Sequence, residues 1–128
     1  MLTLNRQEPE AKTVLIIDDE DMNFYSLAAL LKSRGYQCIS ASNSAEAFSV
    51  LQKIATVDFI LMDIMMPGID GYEATAAIRS YPKFQSIPIS ALTNKEEVQK
   101  AYEAGADADL TKPVDFDKLM GLLQSHTR

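Results

Sequence analysis

Five times along the chain a short apolar run stops at a polar residue and is followed by a helical stripe, and this alternation limits the possible folds more than any other feature. Val14-Leu15-Ile16-Ile17 ends at Asp18-Asp19-Glu20-Asp21. The run has no polar alternation, so it reads as a strand buried on both faces. Beyond the acids, Phe24, Leu27, Ala28 and Leu31 share one face of a helix that ends near Arg34-Gly35. A second strand, Gln37 to Ala41, leads to a helix striped by Ala47, Phe48, Leu51, Ile54 and Ala55, with Ser44 as its expected N-cap. The third strand, Phe59 to Met62, ends at Asp63, and the turn-rich Pro67-Gly68-Ile69-Asp70-Gly71 precedes a helix running to about Arg79. The fourth, Ile87 to Leu92, ends at Thr93; Val98, Ala101 and Tyr102 mark the next helix, and Gly105 suits its C′ position. The fifth, Ala108 to Thr111, ends at Lys112-Pro113, and Phe116, Leu119, Met120 and Leu123 give the closing helix. Parallel neighbours need right-handed crossovers, so five such units predict an α/β class: a doubly wound, five-stranded parallel sheet covered by helices on both faces.

Residues 1–12 show neither periodicity and read as a leader, residues 13–124 as one domain, and 125–128 as a tail. With 18 acidic against 12 basic residues and no basic cluster, the chain is not expected to bind nucleic acid. No apolar run approaches the roughly 20 residues of a membrane span, and the N-terminus lacks a signal-peptide pattern, so a cytoplasmic location without membrane contact is expected. One cysteine, Cys38, and one histidine, His126, argue against a zinc site or a Ser-His-Asp triad. They read as a strand thiol and a solvated terminal residue, and the methionines as packing.

In open α/β sheets ligands bind beyond the carboxyl ends of the strands. The residues there are Asp18, Asp19, Asp63, Thr93 and Lys112. Three carboxylates on one rim repel one another unless a cation lies between them, and an all-oxygen acidic set suits Mg²⁺, which keeps coordination positions for water and phosphate. No glycine-rich phosphate loop follows the first strand, so metal comes first and phosphate second. Taken singly, Thr93 is an ordinary turn residue, Lys112 a surface charge and Asp21 a helix cap; their weight comes from co-occurrence at strand ends. Pro67, Gly68 and Gly71 read as shaping the loop beside Asp63.

Four segments carry a family resemblance: Val14-Leu15-Ile16-Ile17-Asp18-Asp19-Glu20, the unbroken run Leu61 through Gly71 with Asp63-Ile64-Met65-Met66-Pro67-Gly68 at its centre, Ile87 through Thr93, and Gly105-Ala106-Asp107 running to Thr111-Lys112-Pro113. From residue 13 to about 124 the chain resembles the receiver domain of two-component response regulators. That resemblance implies the flavodoxin-like (βα)5 fold with strand order 2-1-3-4-5. It implies that Asp63 accepts a phosphoryl group from the phosphohistidine of a sensor histidine kinase or histidine phosphotransfer protein. It further implies Mg²⁺ ligated by Asp19 and Asp63, by Asp18 through water, and by the Met65 backbone carbonyl. Lys112 and Thr93 would hold phosphoryl oxygens, Met66 and Asn94 would add backbone N–H donors, and Lys112-Pro113 would be a cis peptide. The output would be protein–protein contact with a downstream effector, or a homodimer, through the fourth helix, fifth strand and fifth helix. Such a chain is a switch that catalyses its own phosphorylation and not a turnover enzyme.

Three departures stand out. Position 109, where the family carries an aromatic ring, is Asp109, expected to stay exposed, with coupling left to the loop alone. Thr93 and Lys112 lie 19 residues apart, a few short for the family, which places the trimming before or at the start of the fourth helix. Asn94 replaces a small residue and is expected to narrow the phosphoryl pocket or hydrogen-bond into it. Met65 and Lys95 cannot easily position an attacking water, so slow dephosphorylation is expected. The alternatives are a degenerate receiver that only binds partners and an aspartyl-phosphate hydrolase, which expects a second acid where Met65 stands. A flavodoxin-like cofactor carrier is disfavoured because Asp18 to Asp21 would repel its phosphate.

Overall fold

The computed structural model describes residues 11–19, 21–54, 56–64 and 71–126, the side chains of 21–23 excepted. The expected leader up to residue 10, the cap role of Asp21, Ala55 and the Pro67-Gly68 turn lie outside the described residues. Five strands and five helices alternate as β1 (Thr13–Ile17), α1 (Asp21–Ser33), β2 (Gln37–Ala41), α2 (Ser44–Lys53), β3 (Phe59–Asp63), α3 (Gly71–Ser80), β4 (Ile89–Thr93), α4 (Val98–Ala104), β5 (Ala108–Thr111) and α5 (Phe116–His126). All pairings are parallel and the strand order is 2-1-3-4-5, as expected.

The three inner strands are buried along their whole length, which is why their sequences are apolar without alternation. The edge strands are half-buried and mixed, as in Gln37-Cys38-Ile39-Ser40 and Ala108-Asp109-Leu110-Thr111. Successive strand residues feed opposite layers. Leu15, Ile17, Ile60, Met62, Ile89 and Ala91 pack with α2, α3 and α4. Val14, Ile16, Phe59, Leu61, Leu92 and Leu110 pack with α1 and α5. The strand order reverses between β1 and β3, so the carboxyl ends of these strands open the crevice in which a site is expected.

Local details correct the sequence reading in three places. Asn43, not Ser44, caps α2: its Oδ1 accepts from the Glu46 amide, while Glu46 Oε1 accepts from the Ser42 amide and is held below the usual carboxylate range by that bond. Ile54 is not part of the buried stripe, since the helix ends at Lys53 and Ile54 turns extended and is 38% exposed. The fourth strand starts at Ile89, because the Ile87 amide closes a turn onto Phe84 and Pro88 has no amide to donate. Gly105 takes the left-handed C-cap expected of it, at φ 118°.

Ser90 is fully buried in β4 between its register partners Leu61 and Ala108, and its hydroxyl has no hydrogen-bond partner among the described residues. A buried unpaired hydroxyl costs about 1–3 kcal/mol, and alanine removes it with almost no change of shape. Ser90→Ala is therefore expected to raise the unfolding free energy by about 1 kcal/mol in denaturant titration. A loss of stability would show that the hydroxyl is paired.

Candidate functional site

Each rim residue is placed by the end of a strand. Asp18 follows β1 directly, its amide held by the Ala41 carbonyl of β2, and Asp63 is the last residue of β3. Asp18 is 5% exposed and Asp63 1%, whereas Asp19 faces solvent. Carboxylate oxygens of all three lie within 4.8 Å of one another. Two like charges at such a distance repel by roughly 3 kcal/mol at an effective dielectric near 20. The fold therefore concentrates negative charge on one buried oxygen cluster.

Lys112 answers part of that charge from the other side. Its Nζ donates to Asp63 Oδ2 at 2.8 Å, and its amide donates to the Thr93 carbonyl at 3.3 Å. The Lys112-Pro113 peptide is cis, as the resemblance implies. Lys112 thus sets one ammonium against a cluster of three carboxylates. Hard oxygen donors, two of them buried and one open to water, fit a divalent ion of the Mg²⁺ class. Thr93 closes the rim from β4: it is 1% exposed and its Oγ1 has no hydrogen-bond partner among the described residues. A buried hydroxyl with a free bonding position beside a lysine is a ready donor to an oxyanion. Next to the acids lies a pocket of about 560 Å³ lined by Asp18, Lys112, Pro113 and Val114 on one side and Ser26, Leu27 and Leu30 of α1 on the other, so the cluster is reached from solvent.

The structure thus brings together Asp18, Asp19, Asp63, Thr93 and Lys112. Met65 and Met66 lie outside the described residues. The Asn94 Oδ1 accepts from the Glu97 amide at 3.1 Å and caps the 95–97 turn, the geometry its short amide favours. Asp109 is only half-exposed, and its Oδ1 accepts from the Tyr102 hydroxyl of α4 at 2.6 Å, so it is not the solvated acid expected. That bond pushes the Tyr102 phenol up to about 12, with burial and the charges of Asp109 and Asp107 adding to it. The phenol therefore remains a donor across the ordinary pH range.

Sequence reasoning missed what secures this frame. Arg79 of α3 donates from Nε to the Gly105 carbonyl at 2.8 Å, from Nη1 to the Ile87 carbonyl at 2.7 Å, and pairs through Nη2 with Asp107. Asp107 in turn accepts from the Ile89 amide at 2.8 Å, which ties α3, β4 and the α4–β5 turn into one unit. Cys38 is half-buried and its thiol is pushed up by burial, which leaves it a poor nucleophile. No helix among the described residues is long and apolar enough to cross a membrane.

Comparison with known proteins agrees with this geometry. The sequence model of the response regulator receiver domain matches residues 14–124. The sensor histidine kinase RcsC of Salmonella typhi is 39% identical over 109 residues, which cover 83% of this chain and 11% of the kinase. The chain thus spans about a tenth of the length of that relative. Protein PilH of Pseudomonas aeruginosa is 34% identical over 110 residues, covering 84% of this chain and 90% of PilH. The receiver domain of a Pseudomonas aeruginosa sensor histidine kinase, solved with a magnesium ion coordinated in its active site cleft, superposes with a TM-score of 0.81 at 29% identity. That superposition covers 91% of this chain and 98% of the other.

Proposed function

The chain belongs to the response regulator receiver domain family, and from that premise we propose that Asp63 accepts a phosphoryl group with the help of Mg²⁺ and thereby switches protein–protein contacts. The observation that carries this reading is the convergence of two further acids and an ammonium on one buried carboxylate. An oxygen of Asp63 bonds to the phosphorus of a phosphohistidine. The phosphorus–nitrogen bond breaks, its electron pair leaves with the imidazole, and the product is an acyl phosphate. Phosphoryl transfer passes through a loose transition state with charge on its outer oxygens, so positioned charge does most of the catalysis. Lys112, already 2.8 Å from Asp63, pairs with one such oxygen, and the unpartnered Thr93 hydroxyl donates to another. Asp18, Asp19 and Asp63 would hold Mg²⁺, which neutralises phosphate charge and lets the anionic donor approach an acidic rim.

The donor is a sensor histidine kinase or a phosphotransfer protein, a partner class supported by the kinase relatives. The chain catalyses its own phosphorylation and a slow dephosphorylation, acts in the cytoplasm, and is a switch without turnover of a small substrate. Its output is an effector or a second copy at the face of α4, β5 and α5. Intact-protein mass after incubation with acetyl phosphate tests this reading. One Mg²⁺-dependent phosphoryl adduct is expected on the wild type and none on Asp63→Asn. An adduct that persists in the variant, or a wild type that binds Mg²⁺ yet takes no phosphoryl group, contradicts it.

A further inference from the structure

Helix α4 is short, and little of it is buried. It has seven residues, Ala101 is its one buried residue, and its N-cap Glu97 makes no side-chain capping bond. Two phenol–carboxylate bonds tie it down instead. Tyr72 of α3 donates to Glu97 Oε2 at 3.1 Å ahead of the helix, and Tyr102 within it donates to Asp109 Oδ1 of β5 at 2.6 Å.

The second bond reaches the face of the sheet that carries Thr93. In the β4–β5 register Thr93 lies opposite Thr111 and Ala91 opposite Asp109, and strand alternation puts all four side chains on one face. Thr93 is therefore two side chains away from the Tyr102 contact. It is also joined to α4 along the chain, through Asn94, whose Oδ1 and carbonyl both accept from the Glu97 amide and fix the turn that starts the helix. This turn is the chain's direct link from Thr93 to α4, whereas Asp109 belongs to β5. A 2.6 Å hydrogen bond between the two elements tolerates little relative movement.

We propose that Tyr102 and Asp109 form a latch on the α4–β5 seam, closed while Asp63 is unmodified and opened when a phosphoryl group draws Thr93 toward it. The trigger rests on the function proposed above; the latch rests on the hydrogen bond and the register. Where the family places a ring on the strand at position 109, this chain carries the ring on the helix and the anchor on the strand. Asp109 is held in the β4–β5 ladder opposite Ala91, so the element that moves is α4. Opening frees a phenol that is already 43% exposed together with its carboxylate, and so changes the surface offered to a partner.

Hydrogen exchange of the α4 amides tests the latch, with beryllium fluoride and Mg²⁺ standing in for the acyl phosphate. Tyr102→Phe keeps the ring and removes the donor, and Asp109→Asn keeps an acceptor oxygen. In the wild type, α4 exchange is expected to rise about threefold or more on adding the analogue; in Tyr102→Phe it starts at that level and rises no further, and Asp109→Asn follows the wild type. Coupling is reciprocal, so Tyr102→Phe is also expected to bind the analogue about threefold more tightly, which a purely structural contact would not produce. Wild-type exchange in unliganded Tyr102→Phe, or unchanged affinity for the analogue, overturns the latch. Binding of the analogue by the wild type with no change in α4 overturns the latch alone, whereas no binding of the analogue overturns the phosphoacceptor reading and the trigger with it.

Discussion

Lys112→Met is expected to lower the unfolding free energy by about 2 kcal/mol in EDTA and by less than half of that in saturating Mg²⁺. The reason lies in charge. Asp63 has a side chain only 2% exposed and shares a cluster with Asp18 and Asp19, so removing the ammonium at 2.8 Å takes positive charge away from a buried, crowded carboxylate. Breaking a fully buried pair costs about 3–5 kcal/mol, and the smaller figure applies here because the Lys112 side chain is 39% exposed and water reaches the gap. A divalent ion held by the three acids supplies the missing charge and meets no competing ammonium. The variant should therefore also bind Mg²⁺ more tightly than the wild type. Thermal melts in EDTA and in Mg²⁺ read both effects. An equal deficit in the two conditions would show that the acids do not share a cation site.

Gly71→Ala is expected to cost about 2–3 kcal/mol, a fall in melting temperature of roughly 8 °C for a domain of this size. A Cβ on Gly71 would lie 2.7 Å from the Ile64 Cα, 3.1 Å from the Ile64 carbonyl oxygen and 3.2 Å from that of Asp63. These are backbone atoms and cannot rotate away. Gly71 opens α3, whose Thr75 Oγ1 returns a bond to the Gly71 carbonyl at 2.8 Å, so the helix start and the end of β3 are packed as one piece. The strain falls mainly on Ile64, the residue after Asp63, so adduct formation from acetyl phosphate should slow along with the loss of stability. A wild-type melting temperature would show that the helix start has room to move.

The fold and the central site were legible because both depend on local sequence. Val14 to Ile17 and Phe59 to Met62 are uninterrupted apolar runs, since both of their faces meet helices. Because ligand sites lie beyond strand carboxyl ends, locating those ends located Asp18, Asp63 and Thr93 as well. What escaped depends on tertiary approach. Gly71 reads as a turn glycine, and its contact with Ile64 exists only once α3 has docked on β3. Asn43 and Ser44 are adjacent residues of similar capping chemistry, but Glu46 stands three residues after Asn43 and so marks it as the cap, a spacing that the apolar stripe alone does not read. Asp109 reads as a solvated acid because nothing in a linear pattern says that a tyrosine seven residues earlier will cross the seam to meet it. Arg79 reads as the last cation of a helix, and its bonds to Gly105, Ile87 and Asp107 come from segments that only the fold brings near.

The most direct test of the central claim is to find the phosphoryl group. Sodium borohydride reduces an acyl phosphate of aspartate to homoserine, so treating the phosphorylated protein and sequencing its peptides by mass spectrometry marks the acceptor. Homoserine at position 63 and nowhere else, formed only when Mg²⁺ was present during phosphorylation, is the predicted result. Homoserine at Asp18 or Asp19, or an adduct that resists borohydride, would contradict it.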